Sequence, residues 1–467
     1  MAMKNSGLLH QSGSTGISVL IVLALGFLMA TLDVTVVNVA IADMKNALSL
    51  SLSGVTWVVD GYMLTFASLL LAGGALADRY GSKTIYILGL AVFVLASCLC
   101  AVAANGQMLI AGRLLQGLGA ALFMPSSLSL LAASYPDERV RAKMFGLWAA
   151  LVSAASGLGP FIGGVLVNAA GWQSIFLINV PLGVVALICA YRTLSSFPGK
   201  GSRVNITGHL LGMAALGFLS FALIQGASIG WSSPSILGAF AAAVLAFVLF
   251  ILREIFSATS ILPASLYKNG RFSAAQFVGF LLNFALFGGM FMLSLFLQEA
   301  RGASSFLAGV ELLPMMAVFV VGNLLFARLA NRFEAGLLMF VSMVVSCIMA
   351  LLLFVMVSPD LPYWQLAVLT SAMNLGVGIT VPAMTAVIMK TAGQEHANIA
   401  GAALNANRQI GALVGVAVSG MVIHLSATWY AGAGFTFLMM GAAYSLAAFL
   451  VWRFLTFHKE TSASASS

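Results

Sequence analysis

Five ionisable residues, Asp33, Asp60, Arg113, Glu311 and Arg408, sit inside apolar stretches long enough to cross a membrane. A charge in hydrocarbon is expensive, so such residues mark ion or substrate paths, proton relays or paired anchors. Asp33 lies past the middle of the first stretch, within LDVTVVNVA. Asp60 lies about two turns into the second, and Arg113 at a similar depth in the fourth. At a rise of about 1.5 Å per residue, all three come to comparable levels in the outer half of the membrane. An arginine beside a carboxylate holds it ionised, or frees it to take a proton when the partner moves away. That is the chemistry of proton-coupled transport. A static buried salt bridge that fixes helix register is the plainer alternative. The guanidinium of Arg113 does not deprotonate, so it needs an acceptor. Asp33, Asp60 and backbone carbonyls of neighbouring helices are the three candidates. Glu311, near the outer end of the tenth stretch, either binds substrate or snorkels to the interface. Arg408 lies in the inner half of the thirteenth, in LNANRQIGALVG, with Asn405, Asn407 and Gln409 around it. Such a polar turn is either interhelical glue or a cavity wall.

The elements that position these residues follow from composition. Of 467 residues, 61% are hydrophobic and 7% charged, whereas soluble domains carry about 25% charged residues. Only a polytopic membrane protein fits, and the expected location is the cell membrane. A span needs about 20 apolar residues. Fourteen stretches qualify: 17–41, 54–77, 84–103, 107–131, 142–168, 173–192, 207–227, 233–252, 273–297, 306–330, 335–357, 363–389, 400–425 and 431–455. An even number puts both termini on one side. With that side cytoplasmic, the inside segments hold Lys4, Arg79, Lys83, Arg139, Arg141, Lys143, Arg192, Lys200, Arg203, Arg253, Lys268, Arg271, Arg328, Arg332, Lys390, Arg453 and Lys459. The outside loops hold only Lys45 and Arg301. This asymmetry sets the orientation. It also accounts for the net charge of +8 through anionic lipid headgroups, with no nucleic acid partner. The four cysteines, Cys98, Cys100, Cys189 and Cys347, lie in apolar runs without metal-ligand spacing, so neither disulfide nor metal is expected. Five scattered histidines and no phosphate-binding loop leave no catalytic constellation and no ATP chemistry. The chain reads as a non-enzyme.

The fifth stretch contains SAASGLGPFIGG, with Gly157, Gly159, Pro160, Gly163 and Gly164 inside eight residues. In a membrane, small residues let backbones approach closely, and neighbours re-satisfy the carbonyl that proline frees. This helix is built for tight crossing, either as a static packing seam or as a gate. The loop GALADRYGSK, Gly74 to Lys83, returns as ARLANRFEAG, Ala327 to Gly336, with Arg79 matching Arg332. That offset divides the chain into a six-helix bundle over 1–192, an insert with two extra spans over 193–272, and a second six-helix bundle over 273–467. Spans 7 and 8 are expected at the periphery. Two similar halves around a midplane site is a plan used by secondary transporters.

These motifs resemble the major facilitator superfamily. GALADRYGSK resembles its loop 2–3 signature, keeping Gly74, Asp78, Arg79, Gly81 and Lys83; it departs at Ser82, where a second basic residue is usual. LIAGRLLQGLGAA resembles the span 4 signature, with Arg113 and Gln116, and GLGPFIGG resembles the span 5 signature of exporters. LDVTVVNVA and WVVDGY resemble the fourteen-helix drug:proton antiporters within it, with Ala42 replacing a frequent proline. MATLDVTVVNVA, WVVDGYMLTFASLL, ALFMPSSLSLL and LNANRQIGALVG narrow the likeness to antibiotic resistance exporters. The resemblance implies an all-α major facilitator fold that exports a small antibiotic or drug, with no cofactor beyond the proton motive force. It implies proton coupling at Asp33, Asp60 and Arg113, and a cytoplasmic gate at Gly74, Asp78, Arg79, Gly81 and Lys83. It makes Gly159, Pro160, Gly163 and Gly164 the antiporter helix. Asn38, Tyr62, Gln116, Glu311, Asn405 and Arg408 are the expected lining of the substrate cavity. The expected partners are the drug, protons and membrane lipids, and the expected state is a monomer. A metabolite or nutrient symporter on the same fold is the alternative.

Overall fold

In a bilayer every backbone N–H and C=O must be satisfied within the protein, and a helix does this within one segment. The computed structural model describes residues 8–135, 137–196, 199, 205–256 and 264–456. Among the described residues, fourteen helices are long and apolar enough to span. They are α1 (Ser18–Ala47), α2 (Leu52–Tyr80), α3 (Ser82–Ala101), α4 (Gly106–Ser134), α5 (Arg139–Ala170), α6 (Ser174–Thr193) and α7 (Ile206–Ile229). There follow α8 (Pro234–Phe256), α9 (Gly270–Ala300), α10 (Ser305–Leu329), α11 (Ala335–Met356), α12 (Tyr363–Gly393), α13 (Ile399–Leu425) and α14 (Trp429–Thr456). Lys4, Lys200, Arg203 and Lys459, used above for orientation, lie outside the described residues. The helices alternate between two faces of the molecule. One carries Lys45 and the turns after odd-numbered helices; the other carries Gly81 and the turns after even-numbered ones. Gly81, at φ +95°, separates α2 from α3 in a left-handed conformation that glycine tolerates.

Glycines set the helix spacing. In α4, Gly117 meets the Tyr62 carbonyl of α2, while Gly119 would place a Cβ 2.7 Å from the Phe93 nitrogen of α3. In α13, Gly411 and Gly415 lie on the backbone of Phe280 and Phe284 in α9. In α10, Gly322 would place a Cβ 2.7 Å from the Leu375 carbonyl of α12. Without a hydrophobic force between helices in lipid, such close backbone contact carries much of the association.

The insert helices pack on each other, and α7 also packs along α2 and along the segment containing α12 and α13. Ser53 of α2 lies 2.6 Å from the hydroxyl of Ser228 and donates to the Ile224 carbonyl of α7 at 3.2 Å. So α7 touches both halves of the molecule, a closer engagement than the sparse charge of the insert suggests.

The halves themselves meet near the Lys45 face. Lys45 pairs with Glu299 at 2.6 Å. Ser305 donates to Asp43, and Ser294 donates to the Asn38 carbonyl at 2.7 Å. A polar cleft of about 520 Å³ lined by Asp43, Asn46, Val167, Asn168 and Gln298 lies beside these contacts.

Candidate functional site

Arg113 is buried at the meeting of α1, α2, α4 and α6. Gly61 on α2 faces the Arg113 Cβ, so the two helices lie close enough for the guanidinium to reach across. Its Nη1 donates to Asp33 of α1 and, at 2.8 Å, to Gln116 one turn along α4. Its Nε donates to the Val58 carbonyl at 2.9 Å. The Tyr62 ring lies 4.6 Å from the guanidinium carbon and the Phe176 ring 5.8 Å from it. Asp33 accepts in addition from Gln116 Nε2 at 3.2 Å and Asn179 Nδ2 at 3.5 Å. Gln116 Nε2 also donates to the Ser97 hydroxyl at 2.8 Å. A buried ion pair offsets its desolvation only when further hydrogen bonds satisfy the remaining lone pairs and protons. This one is so equipped, and the acceptors that serve Arg113 are Asp33, Gln116 Oε1 and the Val58 carbonyl.

Asp60 stands apart from this network. It is fully buried on α2, and neither carboxylate oxygen has a hydrogen-bond partner. One turn earlier on α2, Thr56 faces Gly420 of α13, whose added Cβ would lie 2.7 Å from the Thr56 hydroxyl. Asp60 is therefore on the side of α2 turned toward the other half. Buried Tyr62 leaves its hydroxyl unpartnered, and Asn38 leaves its side-chain oxygen unpartnered while donating to Val34 at 3.0 Å.

The glycines of α5 divide between two neighbours. Gly159 and Gly163 face α1: the first meets the Thr35 side chain, and the second would place a Cβ 3.0 Å from the Val36 carbonyl. Gly157 and Gly164 face α10 of the other half, with added Cβ atoms 3.1 Å from Val320 and 2.8 Å from the Ser305 carbonyl. The carbonyl of Pro160 lies 2.5 Å from a Cβ added to Gly309. Phe161 and Phe306 pack ring to ring at 6.4 Å above this crossing.

At the Gly81 face, Asp78 and Arg79 are exposed. Among the described residues Gly74 has only Pro125 near it, and Lys83 donates to the Leu194 and Tyr191 carbonyls at 2.6 and 3.0 Å. Glu311 on α10 is half-buried with one oxygen unpartnered, and Tyr363 donates to its backbone carbonyl at 2.9 Å. Asn405 and Arg408 on α13 are half-buried. Neither reaches the Asp33 and Arg113 cluster. Sequence reasoning missed Ser97, Asn179 and the Val58 carbonyl. A lone serine or asparagine in an apolar run is common, and a backbone carbonyl has no side-chain signature.

The family model of the Major Facilitator Superfamily matches residues 23–416. The chain belongs to that superfamily. Its fourteen spanning helices make it a multi-pass membrane transporter rather than an enzyme. Among superfamily relatives, the "Methylenomycin A resistance protein" of Bacillus subtilis (strain 168) is 84% identical over 463 residues, covering 99% of each chain. A protein of the same name from Streptomyces coelicolor is 49% identical over 433 residues, covering 93% of this chain and 91% of the relative. The crystal structure of a D-xylose-proton symporter superposes with a TM-score of 0.68 at 14% identity, over 94% of this chain and 98% of that one. At that identity the superposition speaks for the superfamily fold alone.

Proposed function

We propose that this transporter exports a small antibiotic or drug from the cytoplasm in exchange for protons, and that methylenomycin A is one substrate. The relatives' names support the substrate class. The contrast between the two buried carboxylates carries the proton exchange. Asp33 has a full set of donors, whereas Asp60 has none. A bare carboxylate without donors is heavily penalised in a water-poor site, and the neutral acid is not. Closing the Lys45 face over an ionised Asp60 would bury such a charge, so closure waits for a proton. Proton entry and substrate release then use the same opening. Proton and substrate are coupled because each favours a different access state.

In this proposal the charge asymmetry puts the Gly81 face and both termini in the cytoplasm. The bundles 1–192 and 273–467 rock against each other along the α5–α10 and α2–α13 seams, with 193–272 at their flank. Asp78 and Arg79 latch the Gly81 face in the opposite access state, and a monomer in contact with anionic lipid is the working unit. The test is uptake of methylenomycin A into inverted membrane vesicles with an acidic lumen. Uptake should require the gradient and collapse with a protonophore. Equal uptake without a gradient would remove the exchange.

A further inference from the structure

Two arginines within the spans, Arg113 and Arg408, are treated in opposite ways. Arg113 is held by Asp33, Gln116 and the Val58 carbonyl. Arg408, about 14 Å from the start of α13 by helical rise, has no such set. Among the described residues, no carboxylate, carbonyl or hydroxyl accepts from it, and its buried Nε is without a partner. Helices α11 to α14 contain no Asp or Glu, and α9 and α10 contain only Glu299 and Glu311, both toward the Lys45 face. Glu299 is already engaged by Lys45.

Contacts other than those of Arg408 hold α13 to α9 at this level. Asn407 donates to the Gln276 carbonyl of α9, and Gly411 and Gly415 seat α13 on the α9 backbone. The Arg408 stem crosses α9 near Gly279, with its Cγ 3.5 Å from an added Cβ there. The residue as a whole is half-buried, while its Nε is buried. Helix α13 also meets α2 of the other half at Thr56. Arg408 stands on a helix that also meets the other half, as a permanent cation for which no acceptor is found among the described residues.

We propose that Arg408 is the anion-binding residue of the substrate path, and that the transported molecule carries a carboxylate or similarly ionised acid group. The proposal rests on the efflux reading above and gives it a substrate class. A guanidinium presents a planar fork that grips a carboxylate through two parallel hydrogen bonds. A bare cation also resists enclosure in low dielectric. An anionic substrate removes that resistance, so the Gly81 face closes over the pair more readily than over Arg408 alone. Substrate anion at Arg408 and proton at Asp60 then license closure of opposite faces.

The test competes paired small molecules, phenylacetate against phenylacetamide and benzoate against benzamide, with methylenomycin A uptake in inverted vesicles at neutral pH. The same pairs are tested for thermal stabilisation of the purified full-length protein in phosphatidylcholine nanodiscs, where no anionic lipid competes. Each acid should outcompete and outstabilise its amide by more than tenfold in concentration. Arg408→Gln should abolish that preference, and Arg408→Lys should retain part of it. Equal effects of acid and amide, including no effect of either, overturn the proposal. So does a preference unchanged in Arg408→Gln. Failure of wild-type uptake with the acid preference intact in nanodiscs would instead sink the efflux reading and leave the anion site standing.

Discussion

Replacing Gly164 by alanine tests the α5–α10 seam with a single methyl group. The added Cβ would lie 2.8 Å from the Ser305 carbonyl oxygen, 3.0 Å from Phe306 Cα and 3.2 Å from the Phe306 carbonyl. All three are backbone atoms, so no side chain can swing away. Restoring an ordinary contact of 3.4 Å requires α5 and α10 to part by about 0.6 Å at this point. Overpacking of this kind costs about 1–3 kcal/mol. The cost falls only on the state with the Lys45 face closed, because the clash crosses between the halves. It should therefore shift the access equilibrium by about 5–150-fold toward the state open at that face. The assay is labelling of Val167→Cys, a buried position lining the adjoining cleft. The background replaces the four natural cysteines, and the reagent is a membrane-impermeant maleimide. Labelling should rise severalfold in Gly164→Ala. Gly146→Ala, with nothing among the described residues within 4 Å of its added Cβ, should leave labelling unchanged. Gly159→Ala clashes with Thr35 inside one half and should lower thermal stability without raising labelling. A Gly164→Ala protein labelled at the parent rate would refute the argument that this seam sets the access state.

The two buried carboxylates should respond oppositely to amidation. Asp33→Asn leaves the Arg113 charge buried and unpaired, which costs about 3–5 kcal/mol and should lower the Tm in detergent; Asp60→Asn mimics the neutral acid and should keep the Tm while flattening the pH profile of uptake. Equal Tm losses would contradict the assignment of Asp33 as the paired group. Arg113→Lys keeps the charge but loses the fork that joins Asp33, Gln116 and Val58; substrate binding should persist while uptake becomes insensitive to the proton gradient, and an unaltered pH profile would reduce Arg113 to an anchor.

Much of this arrangement is legible in the amino-acid sequence, and the failures have identifiable causes. Continuous apolar runs make the spans unmistakable, and rise per residue puts Asp33, Asp60 and Arg113 at one level. Depth alone does not say which way a side chain turns. Gly61 faces α4, so its neighbour Asp60 points elsewhere on α2, toward the other half. Gln116 shares the Arg113 face because it follows one turn later. The glycines of α5 announce close packing, but only the structure separates those facing α1 from those facing α10. The polar engagement of α7 with α2 rests on hydroxyls and one carbonyl, Ser53, Ser228 and Ile224, which leave no pattern in an apolar helix.

That placement of α7 makes the two seams unequal before the bilayer. Along α2 and α13 a protein helix stands beside the moving boundary, and rocking must slide one helix against another. Along α5 and α10 no inserted helix intervenes among the described residues, and rocking must displace acyl chains instead. The first kind of friction is set by the sequence. The second is set by the membrane, through its thickness, its tail order and the lateral pressure it exerts on that flank. A change of lipid composition therefore reaches this transporter asymmetrically, through one side of the molecule.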